Sequence, residues 1–294
     1  MPDVNQAAQL LVGGLAAGTL YALVALGIVL LYRASRVLNF AHGDLATAAT
    51  FVAFTLMAGG WGFPLASAAA LAAAGMFAAG VYLVVLRPAR EATLLGRIVV
   101  TLGLALVLNG LTTAVWGAET KVFPFPLSDT RVYRLGGVVV SQLSLGLMGA
   151  GLVLVAALYL VVQHTRAGLA MRAVAQHMEA AQALGIPARR ILAFTWGLAG
   201  ALGAAAGILT APATLLDPAM MLDPFLKGFA GAVLGGMDSL PGAVLGGLCL
   251  GVLEALFAGY VSVKFKTTFA FLVIVLTLML RPEGLLGREV RRRA

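Results

Sequence analysis

The residues of this 294-residue chain that could carry out chemistry are few and widely spaced. Its three histidines, at positions 42, 164 and 177, are too scattered for a metal cluster. The phosphate-binding G-x-x-x-x-G-K-[ST] pattern, the H-E-x-x-H pair and the G-x-S-x-G elbow are all missing from the sequence. We therefore expect the chain to be no enzyme, to hydrolyse no ATP by itself and to bind no cofactor or metal.

Seven polar residues lie in or beside apolar segments of the sequence, where they could contact a solute. Acidic groups inside a membrane are functional by default, so these residues are candidates to line a solute path. A structural role competes with each: Asp44 and Asp238 could be N-caps of the helices that follow them, and Glu254 could pair with Lys264 or Lys266. The seven candidates are Asn39, His42, Asp44, Thr101, Asn109, Asp238 and Glu254.

The composition predicts the elements that position these residues. The chain is 61% hydrophobic and only 11% charged, with a mean hydropathy of +0.99. A soluble domain is about 25% charged, so a soluble globular protein is excluded, and the high hydrophobicity also excludes a disordered chain. One cysteine, Cys249, excludes internal disulfides. We predict an all-α polytopic membrane protein.

Runs free of Asp, Glu, Lys and Arg predict the membrane segments, since a helix crosses the hydrocarbon core in about 20 residues. The run Leu45–Leu86 has 42 residues, too many for one span, and we expect it to break at 59–64, where Gly and Pro cluster. The run Gly228–Met237 has only ten residues. It predicts half of a broken helix or a re-entrant arm paired with 239–258. About eight or nine transmembrane or re-entrant segments follow in one membrane domain, 1–294.

The basic residues predict the orientation in the membrane. If the sides alternate, fourteen Lys and Arg fall on one side and six on the other, and the side with fourteen is cytoplasmic. The C-terminus is then inside and the N-terminus outside, unless Asn39–Met57 does not cross, in which case the N-terminus is inside. We also expect the several G-x-x-x-G pairs to pack helices within the chain rather than between two copies.

The longest predicted cytoplasmic loop, 166–190, has the features of a docking element. Strong helix formers fill 169–184 and predict a helix of about three turns. Gly185 predicts its end, and Pro187 the start of the next helix. An ordinary amphipathic connector that covers the bundle would have the same pattern. The apolar stripe that could enter a groove on a soluble partner consists of Val174, Met178, Ala181 and Leu184.

Part of this loop resembles a known family. The segment Glu179-Ala180-Ala181-x-x-x-Gly185 resembles the E-A-A-x-x-x-G core of the coupling loop in ABC importer permeases, and 171–186 resembles the version in branched-chain amino-acid permeases of the Liv type. Three further segments, 38–44, 235–242 and 281–287, resemble motifs of the same family. The resemblance covers about residues 10–288.

This resemblance implies the fold of an ABC importer permease and a role in importing leucine, isoleucine and valine. It implies a second permease subunit in a homodimer or heterodimer, two cytoplasmic ATPase subunits that bind ATP and magnesium, and a periplasmic or lipid-anchored binding protein. Membrane lipid is the other expected partner, and nucleic acid is not expected. The implied ATPase-coupling residues are Arg172, Val174, Met178, Glu179, Ala180, Ala181 and Gly185.

Three alternatives stay open at this stage. The same family includes permeases for urea, short amides and other amino acids. A stand-alone secondary transporter or channel would need more acids or histidines inside its spans to couple ions. A membrane-embedded hydrolase would need a nucleophile paired with a base.

Overall fold

The computed structural model describes residues 4–91, 93–135 and 137–287. In that part of the chain, eleven α-helices and one antiparallel β-hairpin form. A π-helical segment, Tyr82–Leu86, continues the third helix, and a 3₁₀ turn follows at Pro88–Glu91. The elements are α1 (Val4–Ser35), α2 (His42–Ala58), α3 (Phe63–Val81), α4 (Leu94–Trp116), β1 (Val132–Leu135), β2 (Val138–Ser141), α5 (Gln142–His164), α6 (Arg166–Gln176), α7 (Met178–Ala183), α8 (Ala188–Thr214), α9 (Leu222–Gly235), α10 (Leu240–Tyr260) and α11 (Lys266–Leu280).

The predicted all-α membrane architecture is confirmed. Among the described residues, six helices are long and apolar enough to span a bilayer: α1, α3 with its π-helical extension, α4, α5, α8 and α10. Three shorter helices, α2, α9 and α11, have 17, 14 and 15 residues. The long apolar run breaks where predicted, since α2 ends at Ala58 and α3 begins at Phe63 with a proline in its first turn.

The chain divides into two compact units. The first contains the described parts of 1–29, 126–153 and 223–294, and the second contains 30–125 and 154–222. One permease domain over 1–294 and the predicted orientation both stay predictions. Several of the basic residues that support this orientation, Arg288 and those at 291–293, lie outside the described residues.

The first unit is held together by direct contact between the backbones of α1, α9 and α10. A Cβ added at Gly18 of α1 would lie 2.9 Å from the Cα of Leu248 in α10. A Cβ at Gly231 of α9 would lie 2.8 Å from the Cα of Gly247. Small residues permit such close approach where lipid supplies no hydrophobic drive. These G-x-x-x-G pairs pack within the chain, as predicted.

The second unit is built around α8. A Cβ at Gly75 of α3 would lie 3.1 Å from the carbonyl oxygen of Gly197 in α8. On another face of α8, a Cβ at Gly207 would lie 2.7 Å from the carbonyl oxygen of Ala46 in α2. The glycines of α8 therefore set how closely α2 and α3 approach it, which fixes the positions of the polar residues on α2.

Candidate coupling loop and translocation residues

The loop 166–190 begins with α6, which is anchored to its own unit. The Thr165 hydroxyl accepts a hydrogen bond from the Gly168 N–H at 3.0 Å and caps the helix. Met171 and Val174 are buried. Arg172 donates from Nη1 to Oε1 of Gln163, at 2.7 Å. Of the predicted coupling residues, Arg172 and Val174 therefore contact the body of the protein.

The prediction of one helix over 169–184 was wrong, because the loop contains two helices with a break at His177. The backbone of His177 is extended, at φ −152° and ψ 97°. Its Nδ1 accepts a hydrogen bond from the Ala180 N–H at 3.4 Å, which caps the start of α7. Side-chain bonds to nearby backbone compete with helix continuation, and helix propensity alone does not reveal this competition.

The predicted end of the loop helix at Gly185 is confirmed. Gly185 has φ +81°, a conformation that suits glycine. Its N–H donates to the carbonyl of Gln182 at 2.9 Å, and the Ile186 N–H donates to the carbonyl of Ala181 at 3.0 Å. This pair of bonds is the Schellman motif. Helix α8 then starts at Ala188, one residue after the predicted Pro187.

The predicted docking stripe does not form one exposed face. Val174 and Ala181 are buried, at 3% and 4% exposure, whereas Leu184 is 83% exposed. The break at His177 rotates α7 relative to α6, so residues spaced three or four apart do not align along both helices. The predicted coupling residues that are exposed are Met178, Glu179, Ala180 and Gly185.

Five of the candidate path residues lie in the second unit, and two of these sit at the start of α2. The Asn39 Oδ1 accepts a hydrogen bond from the Ala41 N–H at 3.1 Å. His42 is 1% exposed and packs on Gly203 of α8. Neither ring nitrogen of His42 has a hydrogen-bond partner among the described residues.

Asp44, Asn109 and Thr101 connect α2 and α4 to neighbouring backbone. Asp44 lies in the first turn of α2, which begins at His42, so its predicted N-cap role was wrong. The Asn109 side-chain amide donates to Asp44 Oδ1 at 3.4 Å and to the carbonyl of Pro218 at 3.0 Å. The Thr101 hydroxyl donates to the Leu38 carbonyl at 3.1 Å. Asn109 and Thr101 therefore attach α4 to α2 and to the loops at Leu38 and Pro218.

Glu254, in the first unit, is the buried acid of an ionic cluster that extends to the surface. The Lys227 Nζ lies 2.6 Å from Glu254 Oε1 and 2.6 Å from Asp223 Oδ2. The Lys266 Nζ lies 3.7 Å from the same Glu254 oxygen, as one of the sequence alternatives proposed. Lys227 and Glu254 are 4% and 0% exposed, and the Lys227 ammonium also lies over the ring of Tyr21. We call Asp223, Lys227, Glu254 and Lys266 the ionic cluster.

Asp238, the other candidate in the first unit, lies in the turn between α9 and α10. The predicted cap of α10 is its neighbour instead: the Ser239 hydroxyl accepts a hydrogen bond from the Gly242 N–H at 3.1 Å. Asp238 itself is partly buried. A serine side chain reaches the first-turn N–H groups as well as an aspartate does, so sequence alone did not separate the two.

Sequence reasoning missed Lys227 and Asp223 as parts of one cluster. Lys227 is one of the six Lys and Arg that the sequence places on the outer side of the membrane, whereas the structure buries this lysine in α9. The available signal was the spacing of four between Asp223 and Lys227, which places both on one helix face. In the part of the chain that the structure describes, no group of three or more His, Cys, Asp or Glu could hold a metal ion.

Comparison with known proteins finds a matching transport family and similar permeases. The family described as "Branched-chain amino acid transport system / permease component" matches residues 10–280. The chain is 33% identical to the high-affinity branched-chain amino acid transport system permease protein BraD of Pseudomonas aeruginosa, over 98% of each chain. It is 30% identical to permease protein LivH of Escherichia coli, over 95% of each chain.

A more distant relative and one solved structure were also found. The probable permease protein LivH of Methanocaldococcus jannaschii is 28% identical, over 97% of this chain and 94% of that protein. The complex PsaBC from Streptococcus pneumoniae with Fab aligns over 95% of this chain and 91% of its own, at 14% identity and a TM-score of 0.45, too loosely to support an argument. The family match over residues 10–280 and the two relatives with at least 30% identity are sufficient to assign the family. The chain belongs to the branched-chain amino acid transport system permease family, and is a multi-pass membrane transport permease.

Proposed function

We propose that this permease carries branched-chain amino acids across the bacterial inner membrane as one subunit of an ABC importer. In this proposal separate cytoplasmic ATPase subunits bind ATP and magnesium and drive the transport. A substrate-binding protein delivers the amino acid from outside, and a second permease subunit completes the path. The loop 166–190 and the C-terminus face the cytoplasm.

The observation that carries the proposal is the exposed end of the loop. Helix α7 presents Met178, Glu179 and Ala180 to the outside, while Ala181 on its opposite face is buried. The Schellman motif at Gly185 holds α7 at a fixed angle to α8, which is a long membrane helix. A short helix that is rigidly joined to a span and exposed on one face is suited to receive force from a soluble partner.

Reconstitution tests the energy source. The chain is placed in vesicles with its second permease subunit, and leucine uptake is measured with and without the ATPases, the binding protein and ATP. We expect uptake only with all components. Uptake by the permease subunits alone, independent of ATP, would overturn the ABC assignment in favour of a stand-alone transporter or channel.

Competition tests the substrate. In the complete system, excess isoleucine or valine should suppress leucine uptake, whereas urea and acetamide should not. The relatives named above are described as branched-chain amino acid permeases, which supports this expectation. Uptake of labelled urea or acetamide with no uptake of leucine would replace the proposed substrate by the amide class and leave the ABC mechanism standing.

A charge reversal on α7 tests the docking face. The Glu179→Arg variant should lose ATP-driven uptake by at least about tenfold, because it places a cation on the exposed face and at the helix N-terminus, where negative charge is favoured. The matched control is Asp129→Arg, which reverses an exposed charge in the other unit. Normal uptake and normal ATPase co-purification in Glu179→Arg would contradict docking through α7.

A further inference from the structure

A cavity of about 210 Å³ lies at the base of the loop, entirely within the second unit. Three arginines line it: Arg87 after the π-helical end of α3, Arg97 in the first turns of α4, and Arg189 at the start of α8. No acidic side chain is among the residues that line it in the described part of the chain. Three cationic side chains and no acidic one among the described lining residues make the cavity favourable for an anion.

Two buried donors at this cavity have no hydrogen-bond acceptor. Trp196 is 1% exposed and lines the cavity, and its indole N–H has no partner among the described residues. The Nε of Arg97 is likewise buried without an acceptor there. A buried donor left unpaired costs free energy, and these donors belong to the residues that surround a cationic cavity.

The N-terminus of α8 adds to this attraction for an anion. The cavity includes Ala188 and Arg189, the first two residues of α8, where the helix dipole is positive. Gln182 of α7 also lines the cavity and offers an amide donor. Guanidinium groups, a helix N-terminus and neutral donors together form a set of groups that binds a phosphate group.

From these observations we propose that the cavity lined by Arg87, Arg97, Arg189 and Trp196 binds a phosphate-bearing anion. A phosphate offers several acceptor oxygens to planar guanidinium groups, which bind it in two-pronged pairs. The group could belong to an anionic phospholipid headgroup or to free phosphate. Basic pockets between membrane helices are known to bind lipid headgroups.

Occupancy of the cavity would reach the coupling loop directly. Met178 and Gln182 of α7 line the cavity beside the three arginines. A bound phosphate would therefore bridge α7 to the starts of α4 and α8, and so hold the docking helix in place. This regulatory consequence rests on the proposed coupling role of α7, whereas binding of the anion does not.

Binding is tested on the full chain in vesicles of phosphatidylcholine with or without phosphatidylglycerol, and in detergent with inorganic phosphate. Native mass spectrometry counts the retained phosphatidylglycerol, and calorimetry measures phosphate binding. The variants Arg97→Gln, Arg189→Gln and Trp196→Phe should each weaken binding by about tenfold, the loss expected for one charge-assisted hydrogen bond. Two independent arginine variants keep the test valid if one of them fails to fold.

Arg190→Gln is the matched control, because Arg190 is the exposed neighbour of Arg189 and does not line the cavity. Retention of phosphatidylglycerol that is lost in the three variants but kept in the control would assign a lipid headgroup. The same pattern with phosphate alone would assign a free anion. Equal losses in Arg189→Gln and Arg190→Gln, or no binding of either probe, would overturn the proposal.

The transport assay separates this site from the proposed function. If the variants lose the anion but keep ATP-driven leucine uptake, the site exists and the regulatory consequence is wrong. If the complete system shows no ATP-driven uptake at all, the proposed function fails while the binding result stands.

Discussion

The two compact units differ in how they accommodate polar groups among apolar helices. In the first unit, the buried carboxylate of Glu254 has the ammonium groups of Lys227 and Lys266 beside it. In the second unit, His42 is equally buried, but neither of its ring nitrogens is bonded among the described residues. The first set of groups pairs opposite charges, as expected of groups that hold a fold together, although Glu254 Oε2 has no hydrogen-bond partner among the described residues. His42, in the second unit, retains hydrogen-bonding capacity, as expected of a group that contacts a ligand or a partner.

The contrast between the two units predicts that a variant in the ionic cluster has the largest effect on stability. Lys227→Met removes the cation between Asp223 and Glu254 and leaves a buried carboxylate short of a partner. We expect a loss of about 3–5 kcal/mol in the free energy of unfolding, measured by thermal unfolding of the purified chain in detergent. Lys264→Met, at an exposed lysine, is the control. Equal midpoints for both variants would mean that the cluster does not stabilise the first unit.

Adding a methyl group at Gly203, in the second unit, should have the next largest effect on stability. A Cβ added by Gly203→Ala would lie 2.8 Å from Cε1 of His42, a ring that is fully enclosed. We expect a loss of about 1–3 kcal/mol in unfolding free energy from overpacking, measured in the same way. Gly103→Ala is the control, since no atom lies within 4 Å of its added Cβ. The loss should shrink when His42→Ala is added, and an unchanged loss would place the strain elsewhere.

Removing the Asn109 side chain should have a smaller effect on stability. Asn109→Ala removes hydrogen bonds to Asp44 and to the Pro218 carbonyl, at about 1–2 kcal/mol in total. A double-mutant cycle with Asp44→Ala measures the coupling between the two side chains. Strict additivity would show that their contact, at 3.4 Å, contributes nothing to stability.

The smallest effect on stability is expected at His42. His42→Leu replaces a ring that has no hydrogen-bond partner among the described residues by an apolar side chain, so the unfolding free energy should change by less than about 1 kcal/mol. Leucine uptake by the complete importer is the second readout. A fall in uptake at unchanged stability would support a functional role for the second region. A large loss of stability would remove the contrast between the two regions.

The sequence was most informative where a local signal decides the structure. The glycines and proline at 59–64 end one helix and start the next, and the glycine at 185 ends α7 by adopting positive φ. Such features depend on a few neighbouring residues. The same holds for the apolar runs, whose length alone predicts membrane helices.

The sequence was least informative where distant residues decide the structure. Lys227 is buried because Glu254, on another helix, compensates its charge, and no local pattern reveals that pairing. The break at His177 depends on a side-chain bond that helix propensity omits. The arginine cavity brings together residues from five separate segments. Each of these features arises from tertiary contacts that override local preference.

The glycine contacts among α1, α9 and α10 have a mechanical consequence. No side chains stand between the backbones at these points, so there is no soft layer that could deform as one helix slides over another. Any rearrangement of the first unit that keeps these contacts moves the three helices together. We expect alanine substitutions at these glycines to prevent the three helices from packing rather than to slow transport.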